Sequence, residues 1–240
     1  MGHTITLLGV PVHDVTYAET LGLIGQFVES REPHQICTVN PEFVMAAQDD
    51  AEFMAILRDA DLCVPDGVGL LWAARWNKTP LRERVAGSDL VPLIAAEAAS
   101  RQWRVFFLGA AAGVAERAAG ELKARYPNLI VAGTWAGSPD QKDDEVAVAK
   151  IRAASPQILF VAYGAPAQDK WIVRNRVRLN VPVMMGVGGA LDFITGAATR
   201  APKWAQSLGL EWLHRLIRQP WRWRRMLALP KFAWAVMRRS

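Results

Sequence analysis

Cysteine is scarce in this chain, with only Cys37 and Cys63 among 240 residues. Both fall in apolar, strand-like runs, so no disulfide framework holds the fold and the pair reads as buried thiols of a reduced, cytoplasmic protein. Long apolar runs are missing as well. The longest stretch free of Asp, Glu, Lys and Arg is residues 153–168, and it contains Ser155, Pro156, Gln157 and Pro166. It is too short and too polar to span a bilayer. The N-terminus has no basic leader and soon reaches Asp14, which argues against a signal peptide. Gly2 to Thr6 fits the loose myristoylation pattern but reads better as the start of a strand. The four histidines, His3, His13, His34 and His214, lack ligand spacing, and CxxC, HExxH and GxSxG are all absent. There is no Walker A loop, and Gly186-Val187-Gly188-Gly189 is not GxGxxG, which counts against a P-loop ATPase and weakens a dinucleotide site. The DxD at Asp59-Ala60-Asp61 sits where a helix gives way to a strand and reads as a junction, so no metal is expected.

What is present is a regular alternation. Apolar runs of strand length alternate with helical patterns of ten or more residues up to about Gly189, the mark of βαβ units and a mostly parallel, doubly wound α/β sheet. The spacing predicts helices over 18–30, 41–59, 67–76, 88–101, 113–126, 143–154 and 167–178. Pro41 suits a first helical turn, and Ser88 and Asp143 read as N-caps. Five runs end in polar or glycine residues. Residues 35–39 lead into Asn40-Pro41-Glu42, 61–64 into Pro65-Asp66-Gly67, 104–108 into Gly109, 158–162 into Tyr163-Gly164, and 181–185 into Gly186. In open α/β sheets ligands bind beyond the carboxyl ends of the strands, so these ends are candidates to converge on one pocket. Asp66 is the most telling of them, a carboxylate placed at the mouth of the sheet.

The charge is unevenly spread. Residues 200–240 carry ten Lys and Arg against one acid, Glu211, a net +9, whereas the rest of the chain sums to −4. The same segment holds Trp204, Trp212, Trp221, Trp223 and Trp234, half of the ten tryptophans. Its helical pattern is interrupted by Pro220, so two basic helices are expected. Arg215, Arg218, Arg222 and Arg225 share a face if the helix bends instead of breaking. An Arg- and Trp-rich amphipathic segment favours an anionic, interfacial partner, a membrane surface or a phosphorylated substrate. The chain therefore divides into a catalytic core at 1–199 and a basic helical appendage at 200–240.

With metal and nucleophile motifs absent, the chemistry rests on Thr38, Asn40, Asp66, Arg84, Gln168 and the basic tail. Each has a bland role: a strand residue, a helix cap, a turn, a surface charge, a first-turn helix residue. Jointly they supply hydroxyl and amide groups for a polyhydroxylated ligand, one carboxylate for a base, and cations for phosphate.

At these residues the sequence resembles the bacterial WecG/TagA/CpsF glycosyltransferases. The matching stretches run in order: Thr38-Val39-Asn40-Pro41-Glu42, Pro65-Asp66-Gly67-Val68-Gly69, Arg84-Val85-Ala86-Gly87-Ser88-Asp89-Leu90, Phe107-Leu108-Gly109, Gly164 to Ile172, Gly186 to Gly189 with Asp192-Phe193, and Arg200-Ala201-Pro202 leading to Gly209 through Leu213 and Arg215. Ala167 and Asp169 depart from the lysine and glutamate common in the family, while Gln168 is kept. The resemblance implies a Rossmann-like core with a C-terminal appendage. It implies inverting transfer of a sugar from a UDP-sugar to a polyprenyl-diphosphate-linked saccharide in surface-polysaccharide or wall-polymer assembly, without a required metal or other cofactor. It casts Asp66 as general base, Thr38 and Asn40 as sugar-holding groups, Arg84 and Gln168 as pocket residues, and Arg215, Arg222 and Arg225 as diphosphate contacts, with Gly109, Gly164 and Gly186 allowing close approach of the nucleotide. It places the protein peripherally on the cytoplasmic face of the membrane, held to the inner leaflet by the appendage. Glucose, N-acetylmannosamine and its uronic acid are all admissible donors, and a homo-oligomer stays open. Two competing readings are a dinucleotide-dependent oxidoreductase, suggested only by the α/β pattern, and a non-catalytic binder of nucleic acid. The tryptophans point to lipid instead of nucleic acid.

Overall fold

The structure, a computed structural model, describes residues 3–199, 201–202, 205, 211–218 and 223–239, without the side chains of Arg215, Arg224, Arg225 and Arg239. The chain opens with a hairpin of β1 (Thr4–Leu7) and β2 (Val10–His13), antiparallel and separate from the main sheet. Helix α1 (Tyr17–Ser30) follows, begun by a capping box in which Thr16 and Glu19 bond each other's backbone. Then come β3 (His34–Val39), α2 (Pro41–Asp49), α3 (Ala51–Asp59), β4 (Leu62–Pro65), α4 (Val68–Trp76) and α5 (Gly87–Arg101). The second half runs β5 (Arg104–Gly109), α6 (Val114–Arg125), β6 (Ile130–Trp135), α7 (Asp144–Ala154), β7 (Ile158–Ala162), α8 (Ala167–Leu179), β8 (Val183–Gly186) and α9 (Ala190–Ile194). Beyond it lie helices Glu211–Arg218, Trp223–Met226 and Ala228–Arg239.

The main sheet has six parallel strands in the order β4-β3-β8-β7-β5-β6, the expected α/β, Rossmann-like class. All its strands but the edge strand β6 are buried on both faces, which is why they read as apolar runs. Along β7, Ile158 and Phe160 join a core with α5, α6 and α9, while Leu159 and Val161 pack with Trp171 and Ile172 of α8. On the flank of β3 and β4, Cys37, Val39 and Cys63 pack with the hairpin, α2, α3 and α4. Phe232 and Val236 of the C-terminal helix complete this third cluster, so the end of the chain is part of the core packing. Both cysteines are free and buried.

Two expectations are corrected. The predicted helix over 41–59 is two helices, because Asp50 takes an extended backbone (φ −134°, ψ 96°) and its carboxylate accepts the Phe53 N–H, starting α3 as an N-cap. Ser88 is not a cap: α5 begins at Gly87, its N-cap position is Ala86, and no local side chain bonds its first turn. The group that does so comes from another strand end. Asp143 does precede α7, though its side chain makes no capping bond. Asp61, the second acid of the DxD, accepts from Gln35 N–H at 2.8 Å, faces His34 at 2.9 Å and pairs with Arg176 at 2.9 Å, pinning α8 to the foot of the sheet.

The chain order opens the crevice. From β3 the chain steps outward to β4, and from β5 outward to β6 on the other side; β7 and β8 then fill the middle. The loops leaving β3 and β4 thus part from those leaving β7 and β8, and a cleft opens over the carboxyl ends.

Candidate active site

That cleft is a cavity of about 450 Å³, within the range of small-molecule sites. Its floor is made by strand ends. Thr38, at the end of β3, is buried, and its hydroxyl lies 3.5 Å from the Gly186 carbonyl oxygen on the neighbouring strand. Asn40 follows, half-buried, capping α2 through its side-chain oxygen, which accepts the Phe43 N–H at 3.0 Å. Pro41 occupies the first helical turn. Both the structural and the ligand-facing role of Asn40 coexist, since it also lines the cavity.

Asp66 stands on the cavity wall directly after β4. Its backbone N–H donates to Val39 O at 2.7 Å, extending the β3–β4 ladder by one step and fixing the carboxylate relative to Thr38. Its Oδ2 accepts the Gly87 N–H at 3.1 Å. This carboxylate therefore serves the uncapped first turn of α5, where the helix dipole favours a negative charge. Gly87 is small for a reason: a Cβ there would lie 2.9 Å from Thr38 Cγ2 and 3.5 Å from Asp66 Oδ2. Helix α5 thus starts in contact with both side chains.

Arg84 lines the same wall. It pairs loosely with Asp89 at 3.9 Å and with Glu211, at the start of a C-terminal helix, at 3.5 Å. The loop that carries it is clamped twice. Val85 N–H donates to Pro65 O, and Ala86 N–H donates to the Tyr17 hydroxyl at 2.8 Å, which in turn donates to Asp89 at 3.3 Å. Burial raises the pKa of this phenol, so it stays neutral and keeps both bonds. Neither Tyr17 nor Glu211 was singled out from sequence. Nothing in the local pattern links positions that far apart in the chain, Tyr17 with Ala86 and Asp89 or Arg84 with Glu211.

The glycines divide. Gly164, in the left-handed region at φ +80°, lines the cavity with open space where a Cβ would point. Gly109 and Gly186 lie off its wall. A Cβ on Gly109 would come within 2.9 Å of the Ala162 backbone, and one on Gly186 would strike the Gln168 amide. Gln168 is buried at 2% exposure and also lies behind the wall. Its Oε1 accepts from Gly164 N–H at 3.1 Å and Gly188 N–H at 2.9 Å, tying the loop after β7 to the loop after β8. The side of the cavity away from the strands is apolar and comes from α4 and the C-terminal helices: Trp72, Trp212, Met226, Leu229 and Phe232. Of the three arginines expected at a diphosphate, Arg222 lies outside the described residues, as do the side chains of Arg215 and Arg225.

Behind Gln168, Asp169 is fully buried, with Oδ1 3.7 Å from the Cys37 sulfur and Oδ2 unbonded among the described residues. Burial raises its pKa from 3.8 to about 7, against the lowering effect of the Cys37 hydrogen bond. The native chain therefore keeps a proton that the unfolded chain loses near pH 4, and this group's contribution to stability falls as pH rises from about 4 to 7 and then levels. In urea unfolding across that window, Asp169→Asn should flatten the decline relative to wild type. Parallel pH profiles for the two proteins would show that the carboxyl is ionised throughout.

An open parallel sheet with a cleft over its strand ends, lined by the Asp66 carboxylate and Arg84 on one side and by apolar residues of α4 and the C-terminal helices on the other, defines an α/β protein with a small-molecule site. The chain belongs to the Glycosyl transferase WecG/TagA/CpsF family, whose model matches residues 5–240, and it is a glycosyltransferase; the oxidoreductase and nucleic-acid readings give way. It is 34% identical over 236 residues to an N-acetylglucosaminyldiphosphoundecaprenol N-acetyl-beta-D-mannosaminyltransferase of Bacillus subtilis (strain 168), covering 95% of this chain and 90% of the relative. A relative of the same description from Bacillus spizizenii is 36% identical over 85% of this chain and 78% of its own length. One from Staphylococcus aureus (strain MW2) is 32% identical over 97% and 91%.

Proposed function

We propose that this chain transfers N-acetylmannosamine from its UDP derivative to a saccharide on a polyprenyl diphosphate, with inversion and without a required metal, in surface-polysaccharide or wall-polymer synthesis. The acceptor and the sugar follow the names of its relatives. The observation that carries the chemistry is the Asp66 carboxylate, fixed by its own backbone bond and by Gly87 beside Thr38 and Asn40 on the cavity wall.

In this reading an acceptor hydroxyl attacks the anomeric carbon of the donor from the face opposite the nucleotide. Its proton passes to an Asp66 oxygen as the new carbon–oxygen bond forms. The bond to the β-phosphate oxygen breaks, and UDP departs with the electron pair. Thr38 and Asn40 hold sugar hydroxyls. The charge on the departing diphosphate is met by guanidinium groups, which grip phosphate oxygens in bidentate fashion: Arg84, and Arg215, Arg222 and Arg225 of the 200–240 appendage. Gln168 acts through the two loops it joins. Glu211 holds Arg84 until substrate phosphate competes for it. The enzyme works peripherally on the cytoplasmic face of the membrane, where its lipid-linked acceptor lies; no helix among the described residues is long and apolar enough to cross a bilayer.

The test is release of UDP from UDP-N-acetylmannosamine, in the presence of a short-chain, water-soluble lipid-diphosphate N-acetylglucosamine acceptor, with and without EDTA. Acceptor-dependent release that survives EDTA is expected. Release requiring added divalent metal would remove the arginine assignment, and none with any UDP-sugar would remove the donor class.

A further inference from the structure

Helix α4 buries one face completely: Leu70, Ala73 and Ala74 are 0% exposed. Its opposite face is apolar too. Val68, Trp72 and Trp76, spaced at i, i+4 and i+8, are 39%, 38% and 50% exposed, and the two indoles stack with centroids 5.9 Å apart. Single exposed apolar residues are ordinary, but a stripe of three with two stacked tryptophans on one helix face is not. The stripe also has a direction. Val68 and Trp72 line the cavity, so it runs from the mouth of the active site outward to Trp76.

Along the chain, helix α4 and the loop that follows it as far as Arg82 carry charge of one sign, while the acids near the stripe, Glu42, Asp66 and Glu211, lie at its inner end on the cavity. Residues 68–82 contain Arg75, Lys78 and Arg82 and no acid. Arg82 is engaged by Asp14 and Glu19, which leaves Arg75 and Lys78 as the exposed cations beside the indoles. Helix α4 packs against the C-terminal helix, whose Trp234 and Met237 are exposed at 59% and 46%, with the Arg238 guanidinium 5.1 Å from the Trp234 ring. Tryptophan flanked by Lys and Arg suits the zone where acyl chains meet anionic headgroups, because the ring is amphipathic and the cations meet lipid phosphate.

We propose that the Val68–Trp72–Trp76 face of α4, with Arg75 and Lys78, is a bilayer-docking surface contributed by the catalytic core itself, adjoining and additional to the basic tail. It sets the cavity mouth at headgroup level. The inference deepens the proposed function and rests on its lipid-linked acceptor: a saccharide one diphosphate away from its lipid reaches Asp66 only if the mouth lies against the membrane, and the stripe is the wall that leads from one to the other.

The test pairs full-length wild type with a Trp76→Ser/Lys78→Glu variant, neither residue lining the cavity. Each is sedimented with vesicles of phosphatidylglycerol and phosphatidylcholine, without substrate. The variant should partition at least about tenfold less onto anionic vesicles. It should release UDP at the wild-type rate with the short-chain soluble acceptor and more slowly with a long-chain acceptor embedded in vesicles. Equal vesicle binding by the two proteins would overturn the proposal, leaving membrane contact to the tail alone. So would a wild-type dimer, seen by sedimentation velocity, that the variant dissolves without any change in vesicle binding, since the face would then be a contact between copies. Because the vesicle arm uses no substrate, it reads the docking surface even if the soluble-acceptor arm shows the proposed reaction to be wrong.

Discussion

Replacing Asp66 by asparagine lowers the turnover number by about 10² to 10⁴, the contribution of a well-placed general base, while the melting temperature moves by no more than a few degrees. The two halves of this expectation come from separate bonds. Asparagine keeps a side-chain oxygen that can accept the Gly87 N–H, now held at 3.1 Å, and the backbone bond to Val39 O does not involve the side chain. Fold and cleft therefore survive. What is lost is the basic oxygen that takes the acceptor proton. The measurement is kcat for UDP release with saturating donor and acceptor, set beside thermal unfolding of the same preparation. A variant that turns over normally shows that the proton leaves by another route. A variant that unfolds early shows that the carboxylate's main task is to start α5, and then Asp66 belongs to the scaffold.

The same residue shows how far the sequence could be read. Strands β3, β4, β5, β7 and β8 were legible because each is predominantly apolar, as burial on both faces requires, and each gives way to a polar or glycine residue where the chain leaves the sheet. Strand β6 was not. Its apolar run, Leu129 to Ala132, is short and is broken by Gly133 and Thr134, and the strand lies at the sheet edge, half-buried along its length, pairing with β5 through a register shift between Val105 and Phe106. The α2–α3 break is hidden in the sequence because Phe43, Ala47, Met54 and Leu57, all in or against one core cluster, keep helical spacings across it, while the capping bond of Asp50 is local. In the site, Thr38, Asn40, Asp66, Arg84 and Gly164 come together on one cavity. Asn40, Asp66 and Gly164 stand just past strand ends and Thr38 within the last residues of β3, whereas Arg84, in the loop between α4 and α5, was marked only by the motif that begins with it. Tyr17, Gly87 and Glu211 were silent, since their roles depend on contacts between distant segments: a phenol holding the loop after Arg84, a missing Cβ between Thr38 and Asp66, and a carboxylate from the C-terminal helices reaching Arg84.

Gln168 was visible as a motif residue but not in its geometry, and it yields the second large effect. Gln168→Leu should lower both the stability of the ligand-free protein and its kcat/KM, the latter by at least about tenfold. The side chain sits behind the wall, and one oxygen accepts from two backbone donors, Gly164 N–H and Gly188 N–H. Leucine fills much of the space and accepts from neither. A buried donor left without a partner costs about 1–3 kcal/mol, and the two affected loops are those that carry Gly164 and Gly188 to the cavity. Without the tie the loops after β7 and β8 move independently, and the half of the cleft facing Asp66 loses its shape. The alternative, a Gln168 amide that touches the sugar or nucleotide directly, makes a different forecast: the ligand-free variant melts like wild type and only KM for the donor rises. Thermal unfolding without ligand, followed by separate determination of kcat and KM, decides between the two. A melting temperature equal to wild type sinks the brace, and a lowered one with both kinetic constants changed supports it.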